Sequence, residues 1–195
     1  GTMCLSEPHC GSDLRLLRTK TEPQPDGTYK ITGQEIVISA GEHDLAENIV
    51  HLVSARPPDA PPGSNGISLF LVPADAKGVT KQNLKLADSR GASNVSFDNV
   101  EVGADALLGA EGKGWDVLEG TLDRARAGLA AEMLGSALQA FETTLEYLKV
   151  RVQFGQVIGS FQALQHRAAK MFTDLELARS AVEAALQAID AGSPD

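Results

Sequence analysis

Ser6-Glu7-Pro8-His9-Cys10-Gly11-Ser12-Asp13 follows directly on the short apolar run Met3-Cys4-Leu5. Proline fixes φ and glycine adopts backbone conformations closed to other residues, so the strand begun by the apolar run must end here in a tight turn. The turn lays out a row of hydroxyls and backbone N–H groups. These suit an electron-rich ring edge or an anionic tail, and are less suited to a catalytic metal. Taken alone, the stretch also fits an ordinary Pro/Gly loop after a strand.

Outward from this turn the sequence is strand-like as far as about Gly109. Tyr29–Thr32, Glu35–Ser39, Ile49–Val53, Ile67–Val72 and Val95–Phe97 read as strands, separated by turn formers at Pro25-Asp26-Gly27, Arg56 to Gly66 and Pro73-Ala74-Asp75. The Pro-rich stretch at 57–63 reads as a surface loop, because strand-like sequence resumes directly after it. After Gly112-Lys113-Gly114 the period changes. Leu118, Leu122, Ala125, Leu129, Met133, Ala137, Phe141, Leu145 and Leu148 recur every three or four residues, as the stripe of a long amphipathic helix does. Phe161, Leu164, Ala168, Met171 or Phe172, Leu175, Ala178, Val182, Leu186 and Ile189 mark a second helix, and Gly155 to Ser160 makes the turn between the two. The expected fold class is α+β: an all-β barrel or sandwich over 1–110, then over 111–195 two long antiparallel helices of an incomplete helical bundle.

Composition narrows the function. The net charge of −9 is spread along the chain and no basic stripe is present, which argues against nucleic acid as a partner. No apolar run approaches the ~20 residues of a membrane span, and no charged-then-apolar leader opens the sequence; a cytoplasmic protein is expected. Cys4 and Cys10, the only cysteines, are too few for a disulfide framework and lack paired zinc-site spacing. His9, His43, His51 and His166 fall in no ligand spacing and read as surface or packing residues, so no metal is expected.

The opening turn resembles the [TS]-E-P-x-x-G-S-D signature of the middle domain of acyl-CoA dehydrogenases, every fixed position of which is met. Three further matches follow in the family's order. Val37-Ile38-Ser39 stands where the family has W-[IV]-[ST]; Asp123-Arg124-Ala125-Arg126 matches D-x-x-R; and Arg151-Val152-Gln153-Phe154-Gly155-Gln156, with Ile158 and Phe161-Gln162, matches R-x-x-F-G-x-x-[IL]-x-x-[FHY]-Q. Without the family, V-I-S reads as a buried strand, and Asp123 and Arg126, at i, i+3 on one helix face, read as a surface ion pair.

The resemblance implies FAD as cofactor. It assigns Leu5, Ser6, Gly11 and Ser12 of the turn, Val37, Ile38 and Ser39 of the strand, and Arg151, Gln153, Phe154, Phe161 and Gln162 of the inter-helix signature to binding it. The last group meets the flavin of a neighbouring subunit, so a homodimer or homotetramer is implied. Arginine suits that role because its planar fork binds phosphate oxygens bidentately. Ser12, Asp123 and Arg126 are assigned to the acyl-CoA substrate, and an electron-transfer flavoprotein or similar acceptor is the implied redox partner. The implied activity is α,β-dehydrogenation of an acyl-CoA thioester. Val37 replaces the usual tryptophan and thins the cover over the flavin, which admits an acyl-CoA oxidase using oxygen as a second reading. A non-catalytic assembly subunit is a third.

No catalytic residue is assigned within the chain. The family's base lies in terminal helices, or immediately before the arginine matching Arg126, where this chain has Ala125. Glu119, six residues earlier and ~9 Å along the helix axis, is a poor substitute. The match covers roughly half of a family member, so the chain is expected to be a truncated one, with a naturally short paralogue as the second reading, and to be inactive alone. Residues 1–53 look most like the branch acting on 3-(methylthio)propanoyl-CoA, while the part after Gly78, with Ser89-Arg90-Gly91-Ala92-Ser93, looks more like the general or dicarboxyl branch.

Overall fold

The computed structural model describes residues 1–87 and 91–192, so the Ser89-Arg90 part of the branch comparison lies outside the described residues. The chain divides into two compact units, Gly1–Glu119 and Gly120–Asp195. The first is built from two four-stranded sheets. One has the order β1 (Thr2–Cys4), β4 (Val50–Ala55), β5 (Ser68–Pro73), β8 (Leu107–Leu108). The other has the order β2 (Lys20–Pro23), β3 (Tyr29–Ser39), β7 (Gly91–Val102), β6 (Val79–Lys85). β1 runs parallel to β4, with Thr2 opposite His51 and Cys4 opposite Val53; the remaining pairs are antiparallel. The sheets meet at one edge, where the Thr21 amide donates to the Arg56 carbonyl and the Arg56 amide donates to that of Thr19, at 2.8 and 2.9 Å.

Cys4, Ile31, Ile38, Val53, Ala55, Phe70, Val72, Val95, Phe97, Val100 and Val102 close into one core between the sheets. Burial of the Cys4 thiol there pushes its pKa up to about 12. The two strand segments expected at 29–32 and 35–39 are one strand, β3, which passes Gly33-Gln34 by shifting register against β7 between Ile31 and Gly33 and again between Glu35 and Ile38. β2, β6 and β8 lack any alternating apolar signal. β6 is an exposed edge carrying Lys81 and Lys85, which disfavour further strand pairing.

The helix α1 (Gly114–Val150) begins inside the first unit. The Gly114 amide donates to the Ile67 carbonyl at 2.7 Å, and a Cβ on Gly114 would also lie 2.7 Å from that oxygen, so only glycine allows the approach. Leu118, one turn on, is fully buried.

In the second unit α1 continues and is followed by a small hairpin, β9 (Val152–Gln153) and β10 (Gln156–Val157), then α2 (Gln162–Asp190). Phe141 contacts Phe172 at 6.3 Å between ring centroids, and Ala130–Ala137 face Leu175–Val182, so the two helices run antiparallel. The stripe on α1 differs from the expected one. Leu129 and Met133 are exposed, at 57% and 63%, and Leu134 and Leu138, outside that stripe, are half-buried, while Met133 and Ala137 still line the groove against α2. On α2, Met171, Phe172 and Leu186 are exposed as well, and no residue of that helix is fully buried.

Candidate functional site

The turn at 6–13 is held by hydrogen bonds of its own sequence. Glu7 N–H donates to the Cys10 carbonyl at 2.7 Å and Cys10 N–H returns to Glu7 at 3.1 Å. Glu7 is only 3% exposed, and its carboxylate accepts from the Arg18 amide at 2.8 and 3.0 Å and from the Thr19 amide at 2.6 Å. The signature glutamate thus fastens the turn to the strand-entry segment. Asp13 accepts from the Arg15 amide at 3.1 Å at the head of a short 3-10 helix and is gripped by the Arg15 guanidinium at 2.8 and 2.7 Å, which holds its carboxyl below the usual range. Leu5, Ser6 and Gly11 are half-buried and Ser12 is exposed.

The turn is tied to β3 where Ile36 N–H donates to the Ser6 carbonyl at 2.7 Å. Val37, the next residue, has φ +55° and is 48% exposed, while its amide donates to Asn94 Oδ1 at 3.1 Å. A left-handed conformation is costly for a β-branched residue, and here it marks the bulge of the Glu35/Ile38 register shift. Beyond the bulge Ile38 enters the core at 3% exposure, so it presents only backbone to a ligand, and Ser39 is exposed. At ~3.3 Å per residue, Ser39 lies within about 10 Å of the bond to Ser6.

Glu35 also points inward. It is fully buried, Thr19 Oγ1 donates to its Oε1 at 2.9 Å, and Oε2 has no partner. Burial, with the nearby Glu7 charge adding to it, raises its pKa to about 8 despite the Thr19 bond, leaving the carboxyl largely protonated at neutral pH. Neither Glu7 nor Glu35 is among the residues that the sequence assigns to a site, although a glutamate within a strand-like apolar run is itself a signal. His9 and Cys10 fall in no ligand spacing in the sequence, yet the turn brings them together with Glu7, with ligand atoms within 4.8 Å of one another.

In the second unit the hairpin presents Arg151, Gln153 and Phe154 to solvent, with Phe154 84% exposed. Phe154 and Gly155 take φ of +53° and +77°, which reverses the chain in two residues. Arg151 accepts the Ile158 amide on its carbonyl at 2.8 Å and donates from its guanidinium to Gln153 Oε1 at 3.4 Å; the Phe154 and Phe161 rings meet edge-on at 6.2 Å. Gln162 opens α2. On α1, Arg126 Nη1 donates to Asp123 Oδ1 at 2.5 Å in an exposed i, i+3 pair, and Ala125 beside it carries no ionisable group.

Two family models match the chain: the acyl-CoA dehydrogenase middle domain over residues 2–100 and the acyl-CoA dehydrogenase C-terminal domain over 112–195. The chain is 36% identical to the mitochondrial short/branched chain specific acyl-CoA dehydrogenase of Rattus norvegicus, across 100% of its own length and 44% of the relative's. It is 41% identical to the 3-methylmercaptopropionyl-CoA dehydrogenase of Ruegeria pomeroyi, across 83% of its own length and 29% of the relative's. Among solved structures it resembles the acyl-CoA dehydrogenase of Geobacillus kaustophilus with a TM-score of 0.84 at 31% identity, covering 98% of this chain and 50% of that one. It also resembles a glutaryl-CoA dehydrogenase of Mycobacterium smegmatis in complex with FADH2, with a TM-score of 0.77 at 29% identity, covering 96% and 47%. The chain thus spans half or less of the length of each, and it belongs to the acyl-CoA dehydrogenase family.

Proposed function

We propose that this chain forms the flavin-facing surface, and part of the thioester-facing surface, of an FAD-dependent acyl-CoA dehydrogenase, with 1–110 as the β-domain and 111–195 as the start of the helical domain. The observation that carries the proposal is the 2.7 Å bond from Ile36 to Ser6, which seats the signature turn against the bulged end of β3. It joins Ser6, and Gly11 packed against it, to the strand segment that carries the exposed Val37 and Ser39, and hydroxyls and backbone groups of both segments would serve the flavin. That donor set suits the polar edge of a flavin, and at Gly11, where a Cβ would stand 3.2 Å from Ser6 Oγ, glycine lets the two sides of the turn pack together.

When bound, FAD supplies the hydride-accepting centre. The turn and the end of β3 bind and orient it through hydrogen bonds. Arg151, with Gln153, Phe154, Phe161 and Gln162, offers charge and aromatic surface to the FAD of a second subunit, which makes the enzyme a homodimer or homotetramer. Asp123, Arg126 and Ser12 hold the acyl-CoA. Ala125 cannot take the α-proton, so the base comes from outside α1. An electron-transfer flavoprotein or similar acceptor reoxidises the enzyme, and the free Cys4 and Cys10 suit a reducing cytoplasm.

The test is FAD binding by the purified protein, followed by dialysis and sizing. Wild type should retain stoichiometric FAD as an oligomer, and Arg151→Ala should lose it. Failure of wild type to bind FAD overturns the reading, and stoichiometric FAD on a strict monomer overturns the shared site.

A further inference from the structure

We propose that Glu7, His9 and Cys10 form a zinc-type divalent metal site within the signature turn, independent of the flavin reading. Their ligand atoms all lie within 4.8 Å of one another, with Glu7 Oε2 at 3.4 Å from His9 Nε2 and 4.0 Å from Cys10 Sγ. An ion bound tetrahedrally, at about 2.0–2.2 Å from nitrogen or oxygen and about 2.3 Å from sulfur, sets its ligands roughly 3.3–3.8 Å apart. The Glu7–His9 pair already has that spacing, the Glu7–Cys10 pair needs a few tenths of an ångström, and the His9–Cys10 pair, within 4.8 Å, closes by up to about 1–1.5 Å.

The local backbone fixes the ligands in advance. Two reciprocal hydrogen bonds lock residues 7 and 10 together, and Pro8 stiffens the span between them. Glu7 is oriented by the Arg18 and Thr19 amides, the outer-shell support that metal-bound carboxylates require. Oε1 accepts from Thr19 at 2.6 Å and Oε2, the oxygen near His9 and Cys10, from Arg18 at 2.8 Å, which leaves Oε2 a second lone pair for the ion. His9 Nε2 donates to the Leu16 carbonyl at 2.9 Å, and binding exchanges that bond for the metal as the ring proton moves to Nδ1. The thiol of Cys10 gives its proton to solvent and binds as thiolate, so one proton is released per ion. His9 is exposed and Cys10 half-exposed, which gives the ion an entry path and leaves its fourth position to water. A mixed oxygen, nitrogen and sulfur set selects zinc-like ions and disfavours calcium and magnesium, which take oxygen ligands.

The ion would pin the turn that carries Ser6, Gly11 and Ser12. The experiment is titration of the purified, FAD-free protein with Co2+, followed by Zn2+. Wild type should develop a thiolate-to-cobalt absorption band saturating at one equivalent, which Zn2+ then abolishes. Cys10→Ser should lose the band, and His9→Ala should bind at least about tenfold more weakly, while His43→Ala should match wild type. Zn2+ should raise the melting temperature of wild type and not that of Cys10→Ser, with the fluorescence of Trp115 confirming that each variant is folded. Absence of the band in wild type, its persistence in Cys10→Ser, or equal affinity in wild type and His9→Ala overturns the site. None of these readouts requires FAD, so the flavin proposal stands or falls separately.

Discussion

Replacing Glu35 with glutamine should make the first unit more stable at neutral and alkaline pH and should leave it nearly unchanged in acid. Glu35 is fully buried, has one unpartnered oxygen, and titrates in the folded protein near 8 against 4.5 for an exposed glutamate. The folded-state pKa is raised, so the stability is fully present below pH 4.5 and is lost as pH rises towards 8, because the unfolded chain ionises this group first. Each pH unit in that window costs about 1.4 kcal/mol, or about 3 kcal/mol by pH 7 and about 5 kcal/mol above pH 8. Glutamine removes the ionisation and keeps an acceptor for Thr19 Oγ1. Urea unfolding of both proteins from pH 4 to 9, followed through the fluorescence of Trp115 in the first turn of α1, isolates the effect as the difference between the two curves. That difference should grow between pH 5 and 8 and then level off. A pH-independent difference would mean that Glu35 is ionised in the folded state and that its environment is better solvated than its burial shows.

Val37→Gly should relieve the φ of +55°; relief of about 1–2 kcal/mol less the entropy cost of glycine leaves a net gain near 0.5–1 kcal/mol, read as a melting-temperature rise of about 1–4 °C. Gly114→Ala should instead destabilise by about 1–3 kcal/mol, since its Cβ meets a backbone carbonyl that cannot swing aside, and chemical denaturation should register the loss although alanine is the better helix former. Arg126→Ala should leave FAD content unchanged and weaken CoA-thioester binding about ten- to hundred-fold by titration; unchanged affinity would return Asp123 and Arg126 to the role of a surface ion pair.

Those elements were legible in the sequence where one residue type performs one backbone task. Pro8 and Gly11 mark the turn, and the short, β-branched apolar runs at 49–53 and 67–72 mark strands, with most of their residues buried although Val50 and Leu71 are exposed. The polar edge β6 left no such mark. On α1 two apolar series run side by side, Leu129-Met133-Ala137 and Ala130-Leu134-Leu138, and periodicity alone cannot choose between them. Packing against α2 draws on both: Met133 and Ala137 of the first series and Ala130 and Leu134 of the second line one groove with Leu175 and Val182.

The same limit applies with greater consequence to β3. Strict alternation from the buried Ile31 would send Glu35, Val37 and Ser39 to the core and leave Ile36 and Ile38 outside. The extra residue in the bulge reverses the assignment midway: Glu35 stays inward, Ile38 joins it in the core, and Val37 and Ser39 are turned to the surface. A period-two reading cannot foresee a one-residue insertion, because the insertion is recorded in the pairing with β7 and in the Asn94 side chain that receives the Val37 amide. The strain at Val37 and the surface proposed for the flavin therefore share one structural cause. If Val37→Gly restored regular pairing, Ser39 would rotate inward and FAD affinity would fall even as stability rose; if the bulge persists, held by the bonds to Ser6 and Asn94, stability should rise with affinity intact. The two hydrogen bonds on adjacent residues, Ile36 to Ser6 and Val37 to Asn94, fix the extra residue from both sides and favour the second outcome.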